Sequence, residues 1–166
     1  MEKFLYSDDK KEMYALLKKQ LKALLEGEHH VLPNLSNVSA LLNGALRNIN
    51  WVGFYLRYGE DLLLGPFQGK PACVHIARGK GVCGTAFAKD ATQLVKDVHQ
   101  FPGHIACDCA SRSELVVPLH QGGKVIGVLD IDSPLLGRFD ETDARELEEI
   151  ARILEKSCDW AEWRFA

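Results

Sequence analysis

Two cysteines one residue apart, Cys107 and Cys109, stand in the polar stretch His104-Ile105-Ala106-Cys107-Asp108-Cys109-Ala110-Ser111-Arg112-Ser113-Glu114. A structural cysteine usually lies in an apolar segment, because an un-ionised thiol behaves as a small hydrophobe. Hydroxyls, acids and an arginine surround this pair instead, which suits a partly exposed thiolate. Glu114 closes the stretch and directly precedes the apolar run Leu115-Val116-Val117-Pro118-Leu119. Three further thiols, Cys73, Cys83 and Cys158, make the total odd. With 166 residues the chain has no need of disulfide staples. In a reducing compartment such cysteines are free, catalytic or metal-bound rather than architectural.

Three chemistries compete for these residues. A zinc site would draw on Cys107, Cys109, Cys73 or Cys83 and His104, but Cys-x-Cys departs from the usual Cys-x2-Cys ligand hairpin. Thiol redox catalysis needs a nucleophilic thiolate and a second thiol to resolve its oxidised form. A ligand-sensing module would leave the thiols idle, although a chain this short has little room for an output domain.

The elements that must position these groups follow from periodicity. Ser7 reads as an N-cap ahead of Asp8 and Asp9, and Met13, Leu16, Leu17, Leu21, Leu24 and Leu25 recur at helical spacing over residues 8–26. A turn, His29-His30-Val31-Leu32-Pro33, leads to a second amphipathic segment over 35–49; the two histidines read as surface loop. From Trp51 the period becomes two, with Val52, Phe54 and Leu56 on a core face and Trp51, Gly53 and Tyr55 opposite. Two aromatics flanking a glycine suggest a pocket wall with space for a ligand against the backbone. Strands are expected over 62–67 and 73–76. The glycine-rich segment 79–84 then opens a short helix, where free N–H groups offer a seat for an anion. It lacks the Gly-Lys-Ser/Thr ending of a nucleotide-binding phosphate loop.

An edge strand over 93–95 and a long loop over 98–110 precede strand 114–119. The turn Gln121-Gly122-Gly123-Lys124 joins it to strand 125–132. Alternation there sets Ile126, Val128, Asp130 and Asp132 on one face. Carboxylates at the end of an aliphatic face are costly to bury unpaired, so they face solvent or a cationic ligand. Asp140 with Asp143 resembles a capping pair for a final helix whose apolar face includes Leu147, Ile150, Leu154 and Cys158. The order of elements predicts an α+β fold, one domain over 1–166, with an antiparallel sheet and helices packed on it.

Composition narrows the partners. A net charge of −3 with scattered lysines gives no nucleic-acid surface. No apolar run reaches membrane-spanning length and no signal-peptide core follows Met1, so a cytoplasmic location is expected.

Five motifs together carry a resemblance. Asn50-Trp51-Val52-Gly53-Phe54-Tyr55, Gly65-Pro66-Phe67-Gln68-Gly69, Gly79-Lys80-Gly81-Val82-Cys83-Gly84, Cys107-Asp108 with Ser113-Glu114, and Gly127-Val128-Leu129-Asp130-Ile131-Asp132-Ser133 resemble the free methionine-(R)-sulfoxide reductases, single-domain enzymes of the GAF fold. The likeness runs from about Ser7 to the last helix. The Gly-x-Gly-Val-x-Gly and Asp-x-Asp-Ser pieces are shared with sensory GAF domains. Cys73, Cys83 and Cys107 with Trp51, Glu114 and Asp132 are the specific part.

The resemblance implies roles. Cys107 would be the nucleophile, Cys73 the resolving thiol and Cys83 a supporting or alternative redox thiol. Trp51, Tyr55, Glu114, Asp130 and Asp132 would line the substrate pocket. The aromatic pair would take the apolar stem of the substrate, the acids its ammonium group or sulfoxide oxygen, and helix N–H groups its carboxylate. Oxygen leaves sulfur well only when protonated, and a carboxylic acid kept neutral among other carboxylates can supply that proton. Glu114, Asp130 and Asp132 are the group expected to share it. No metal or bound cofactor is implied; thioredoxin would reduce the Cys107–Cys73 disulfide, and a homodimer is expected. Cys109, where the family has a small non-thiol residue, is expected to be a bystander. The alternative is a non-catalytic GAF-type module that binds a small ligand or senses redox state.

Overall fold

The computed structural model describes residues 6–103 and 109–163. Helix α1 runs over Lys10–Leu25, and Asp9 rather than Ser7 caps it, accepting the Glu12 N–H. Helix α2, Val31–Ala45, starts four residues before the expected segment. Pro33 marks its first turn instead of a loop, because a backbone N–H there would have no intrahelical acceptor to lose.

Six strands form one sheet in the order β3-β2-β1-β6-β5-β4, all neighbours antiparallel. They are β1 (Trp51–Tyr58), β2 (Asp61–Gly69), β3 (His75–Ile76), β4 (Gln93–Val95), β5 (Ser113–Gln121) and β6 (Lys124–Ser133). The central pair β1 and β6 are covered on both faces, by the two cores. Between β5 and β6, Gly122 and Gly123 both take positive φ, the geometry of a two-residue hairpin turn. Strand β3 is shorter than expected, and Cys73 lies in the loop ahead of it.

On one face Val52, Phe54, Leu56, Leu115, Val117, Leu119, Leu129 and Ile131 meet the apolar stripes of α1, α2 and α4 (Glu141–Ser157) in the larger core. Asp140 and Asp143 form the expected capping box of α4. Asp143 is wholly buried because it also accepts the Tyr14 hydroxyl at 2.7 Å and ion-pairs with Lys10, locking α1 to α4. Cys158 closes α4 at the edge of this core, as expected.

The opposite face carries a smaller core built on α3 (Gly81–Lys89), with Val82, Ala86 and Phe87 against Tyr55, Val116 and Val128. Ile126 was expected on this side with Val128 but lies in the larger core. The register slips between Leu119 and His120, so β6 places an extra residue there and the alternation inverts. Sheet pairing beyond that point restores the expected faces for Val128, Asp130 and Asp132.

Candidate active site

Cross-strand register collects the polar groups. Trp51 on β1 pairs with Asp132 on β6, which pairs with Glu114 on β5. The next row on that face is Gly53, Asp130 and Val116. Since alternate residues share a face, Trp51, Tyr55, Asp130, Asp132 and Glu114 all leave the sheet toward α3. They line one cavity together with Cys83, Gly81 and Val82 of α3. Its empty volume is ≈ 550 Å³ with the open mouth included.

The aromatic wall is stacked and anchored by a hydrogen bond. The Trp51 ring stacks on Phe67 at 5.2 Å and on Tyr55 at 5.9 Å between centroids, and its Nε1–H donates to the Lys70 carbonyl at 3.1 Å. Gly53 serves this wall rather than a ligand. A Cβ on it would lie 2.3 Å from the Phe67 Cβ and 2.8 Å from the Trp51 ring, so the space that a side chain would need is already filled. Gly53 is absent from the cavity lining, which corrects the expectation that it leaves room for a ligand. The Tyr55 hydroxyl donates to the Cys73 carbonyl at 2.9 Å.

The acids sit deep. Glu114 and Asp130 are each 6% exposed. Burial, then the charges of Asp130 and Asp132, push Glu114 well above the usual carboxylate range. Burial raises Asp130 to about 6, held back by hydrogen bonds from Cys83, Glu114 and the Ile131 backbone. Both carboxyls are thus pushed toward the protonated form, as expected for two acids buried side by side. Cys83 donates toward Glu114 Oε1 at 3.9 Å, and burial beside Asp130 and Glu114 lifts its thiol well above the ordinary value. A raised thiol pKa disfavours the thiolate, the nucleophilic form.

Other predicted residues fall around the cavity. Cys73 is half-buried beside the lining residues Pro71 and Ala72 but is not itself in the wall. Cys109 is exposed. Cys107, with Asp108 and His104, lies outside the described residues. His75 is exposed on β3, and His29 and His30 sit in the exposed turn before α2. The first N–H groups of α3, at Gly81, Val82 and Cys83, have no intrahelical acceptor, and these residues line the cavity. That arrangement can receive an anion.

Lys70, Lys80, Ile76 and Ser111 complete the lining and were not singled out from the sequence. For Lys80 the signal was there, since it precedes the glycine that opens α3. Ser111 accepts from Asn50 Nδ2 at 3.0 Å, while the Asn50 N–H donates to the Asp132 carbonyl at 3.0 Å. No local pattern announces that pairing, which joins residues 61 positions apart.

Comparison with known proteins gives a consistent neighbourhood. A family model described as GAF domain matches residues 36–155. The chain is 53% identical over 148 residues to the free methionine-R-sulfoxide reductase of Escherichia coli, covering 89% of this chain and 90% of that one. It is similar to fRMsr of Staphylococcus aureus solved in complex with substrate, with a TM-score of 0.84 and 60% identity over 87% of this chain and 94% of the other. The free methionine-R-sulfoxide reductase of Neisseria meningitidis, also solved with its substrate, superposes with a TM-score of 0.85 at 47% identity, over 92% and 93% of the two chains.

Proposed function

The chain belongs to the GAF-domain family of free methionine-R-sulfoxide reductases, and from that premise we propose that it reduces free methionine-(R)-sulfoxide to methionine by thiol chemistry. The observation that carries the reading is the buried carboxyl pair Glu114 and Asp130 lining one cavity with a wall of stacked aromatics. The methyl and methylene groups of the substrate lie against Trp51 and Tyr55. Its carboxylate meets the α3 N-terminus, with Lys70 and Lys80 at the rim, and its ammonium group meets Asp132.

The sulfoxide oxygen then points at the Glu114–Asp130 pair. Glu114 protonates that oxygen as the Cys107 thiolate attacks sulfur. A Cys107–substrate S–S bond forms as the protonated oxygen leaves as water, and attack of that water on Cys107 Sγ breaks the S–S bond, releasing methionine and a proton and leaving Cys107 as a sulfenic acid. The Cys73 thiol attacks that sulfur, forming a disulfide and releasing water. Two thiol hydrogens and one oxygen are consumed in total, so the cycle closes only when an external dithiol restores both cysteines. Thioredoxin is the reductant of that class, and the free thiols of Cys73, Cys83, Cys109 and Cys158 suit the reducing cytoplasm where it works. Cys83, protonated beside the acids, tunes the donor rather than attacking.

Separated R and S epimers, each free and peptide-bound, offered with a thioredoxin system test this reading. Turnover of the free R epimer alone is the expected result. Equal use of the S or the peptide-bound form, or no turnover of any, would overturn it.

A further inference from the structure

Three ligating atoms of two chemical kinds meet in the cavity wall. Cys83 Sγ and one carboxylate oxygen each from Glu114 and Asp130 all lie within 4.8 Å of one another, and all three residues are buried. They stand on α3, β5 and β6, regular elements that hold their side chains in place. The Sγ to Oε1 separation of 3.9 Å compares with roughly 3.6 Å between a sulfur and an oxygen bound to one tetrahedral zinc ion, from bonds of about 2.3 and 2.0–2.2 Å. A second observation points the same way. Asp130 Oδ1 is fully buried with no hydrogen-bond partner among the described residues, an acceptor that calls for a donor or a cation.

We propose that Cys83, Glu114 and Asp130 form a binding site for a divalent cation of the zinc class, and that its occupancy excludes the organic substrate. One thiolate with two carboxylates selects a borderline-soft ion over magnesium or calcium. Binding involves no redox change. The Cys83 thiol proton, with any carboxyl proton, passes to solvent as the metal–sulfur and metal–oxygen bonds form. This ligand set takes only Cys83 from the cysteines that a sequence-based zinc site would have used. Exclusion of substrate rests on the proposed reductase reading, because the metal occupies the proton donor; the site itself does not.

Cobalt is the probe. Titration of the reduced chain with Co²⁺ is expected to give one bound equivalent with a thiolate-to-cobalt band in the near ultraviolet, displaced by Zn²⁺. The band disappears in Cys83→Ser, persists in Cys73→Ser and Cys109→Ser, and weakens in affinity by about tenfold or more in Asp130→Asn. A band that survives in Cys83→Ser, or no band in the parent chain, overturns the proposal. Should the variants fold poorly, the parent chain still decides. Zn²⁺ is expected to raise its thermal midpoint and to shield Cys83 from alkylation, and failure of both sinks the site. In a Cys107→Ser chain, methionine sulfoxide is expected to displace Co²⁺. Cobalt that binds through Cys83 but ignores methionine sulfoxide leaves the metal site standing and contradicts the substrate reading.

Discussion

Tyr55 on β1 reaches out of the aromatic wall to the loop ahead of β3 and gives its hydroxyl hydrogen to the Cys73 carbonyl at 2.9 Å. One residue therefore shapes the pocket with its ring and tethers the proposed resolving thiol with its oxygen. Tyr55→Phe keeps the stack on Trp51 and removes the tether. The first methionine released per chain should form at the parent rate, while disulfide formation and steady-state turnover slow several-fold. Rapid-quench kinetics separate the two phases. Equal slowing of both would show that the hydroxyl acts in binding instead.

In the proposed mechanism Glu114 is the acid whose proton the chemistry uses. Glu114→Gln should lower turnover by about 10²–10⁴-fold, the usual worth of a general acid, without abolishing it. The raised carboxyl also predicts that activity falls as pH rises past the range where Glu114 stays protonated. That descending limb should vanish in Glu114→Gln, read from kcat/KM against pH. An unchanged limb would move the donor role to another group.

Asp130 makes a claim about stability. Its folded pKa of about 6 lies above the ordinary 3.8, so burial of its charge is absent below about pH 4 and acts fully once pH has risen past 6. The rise corresponds to on the order of 3 kcal/mol lost across that window, spread over the buried pair with Glu114. Asp130→Asn cannot ionise and should escape most of the loss. Its thermal midpoint relative to the parent should therefore be higher at pH 8 than at pH 4. Parallel midpoints at the two pH values would contradict the buried charge.

Gly53 supports the wall from behind. Gly53→Ala puts a Cβ 2.3 Å from the Phe67 Cβ and 2.8 Å from the Trp51 ring, neither of which can retreat without disturbing the sheet. Overpacking of this kind costs typically 1–3 kcal/mol. Because the displaced ring lines the pocket, KM should rise more than kcat falls. Denaturant unfolding with steady-state kinetics checks both, and a stable variant of unchanged KM would remove Gly53 from this role.

Much of the sheet that carries the site was legible because alternation holds through β1 and through β6 from Gly127 to Asp132. Alternation groups Trp51 with Tyr55 on one face of β1 and Asp130 with Asp132 on one face of β6; that these are the same face of the sheet follows from the β1–β6 register, which local pattern does not show. The element starts were less legible. Pro33 reads as a loop residue in sequence, although the first turn of a helix tolerates it, and the bulge that inverts Ile126 depends on how β5 pairs. Cys83 was legible as a residue on a short helix after glycines. Its place among the acids was not, because it depends on α3 lying across the polar face of the sheet. The Asn50–Ser111 contact joins distant segments and leaves no local trace. The nucleophile expected at Cys107 rests on the resemblance and lies outside the described residues.

The most direct measurement mixes the fully reduced chain, without any external reductant, with one equivalent of free methionine-(R)-sulfoxide and counts thiols and methionine. The account predicts one methionine released and two thiols lost per chain, with Cys107 and Cys73 joined on peptide mapping and neither change in Cys107→Ser. Methionine released by Cys107→Ser, or an unaltered thiol count in the parent chain, would contradict it.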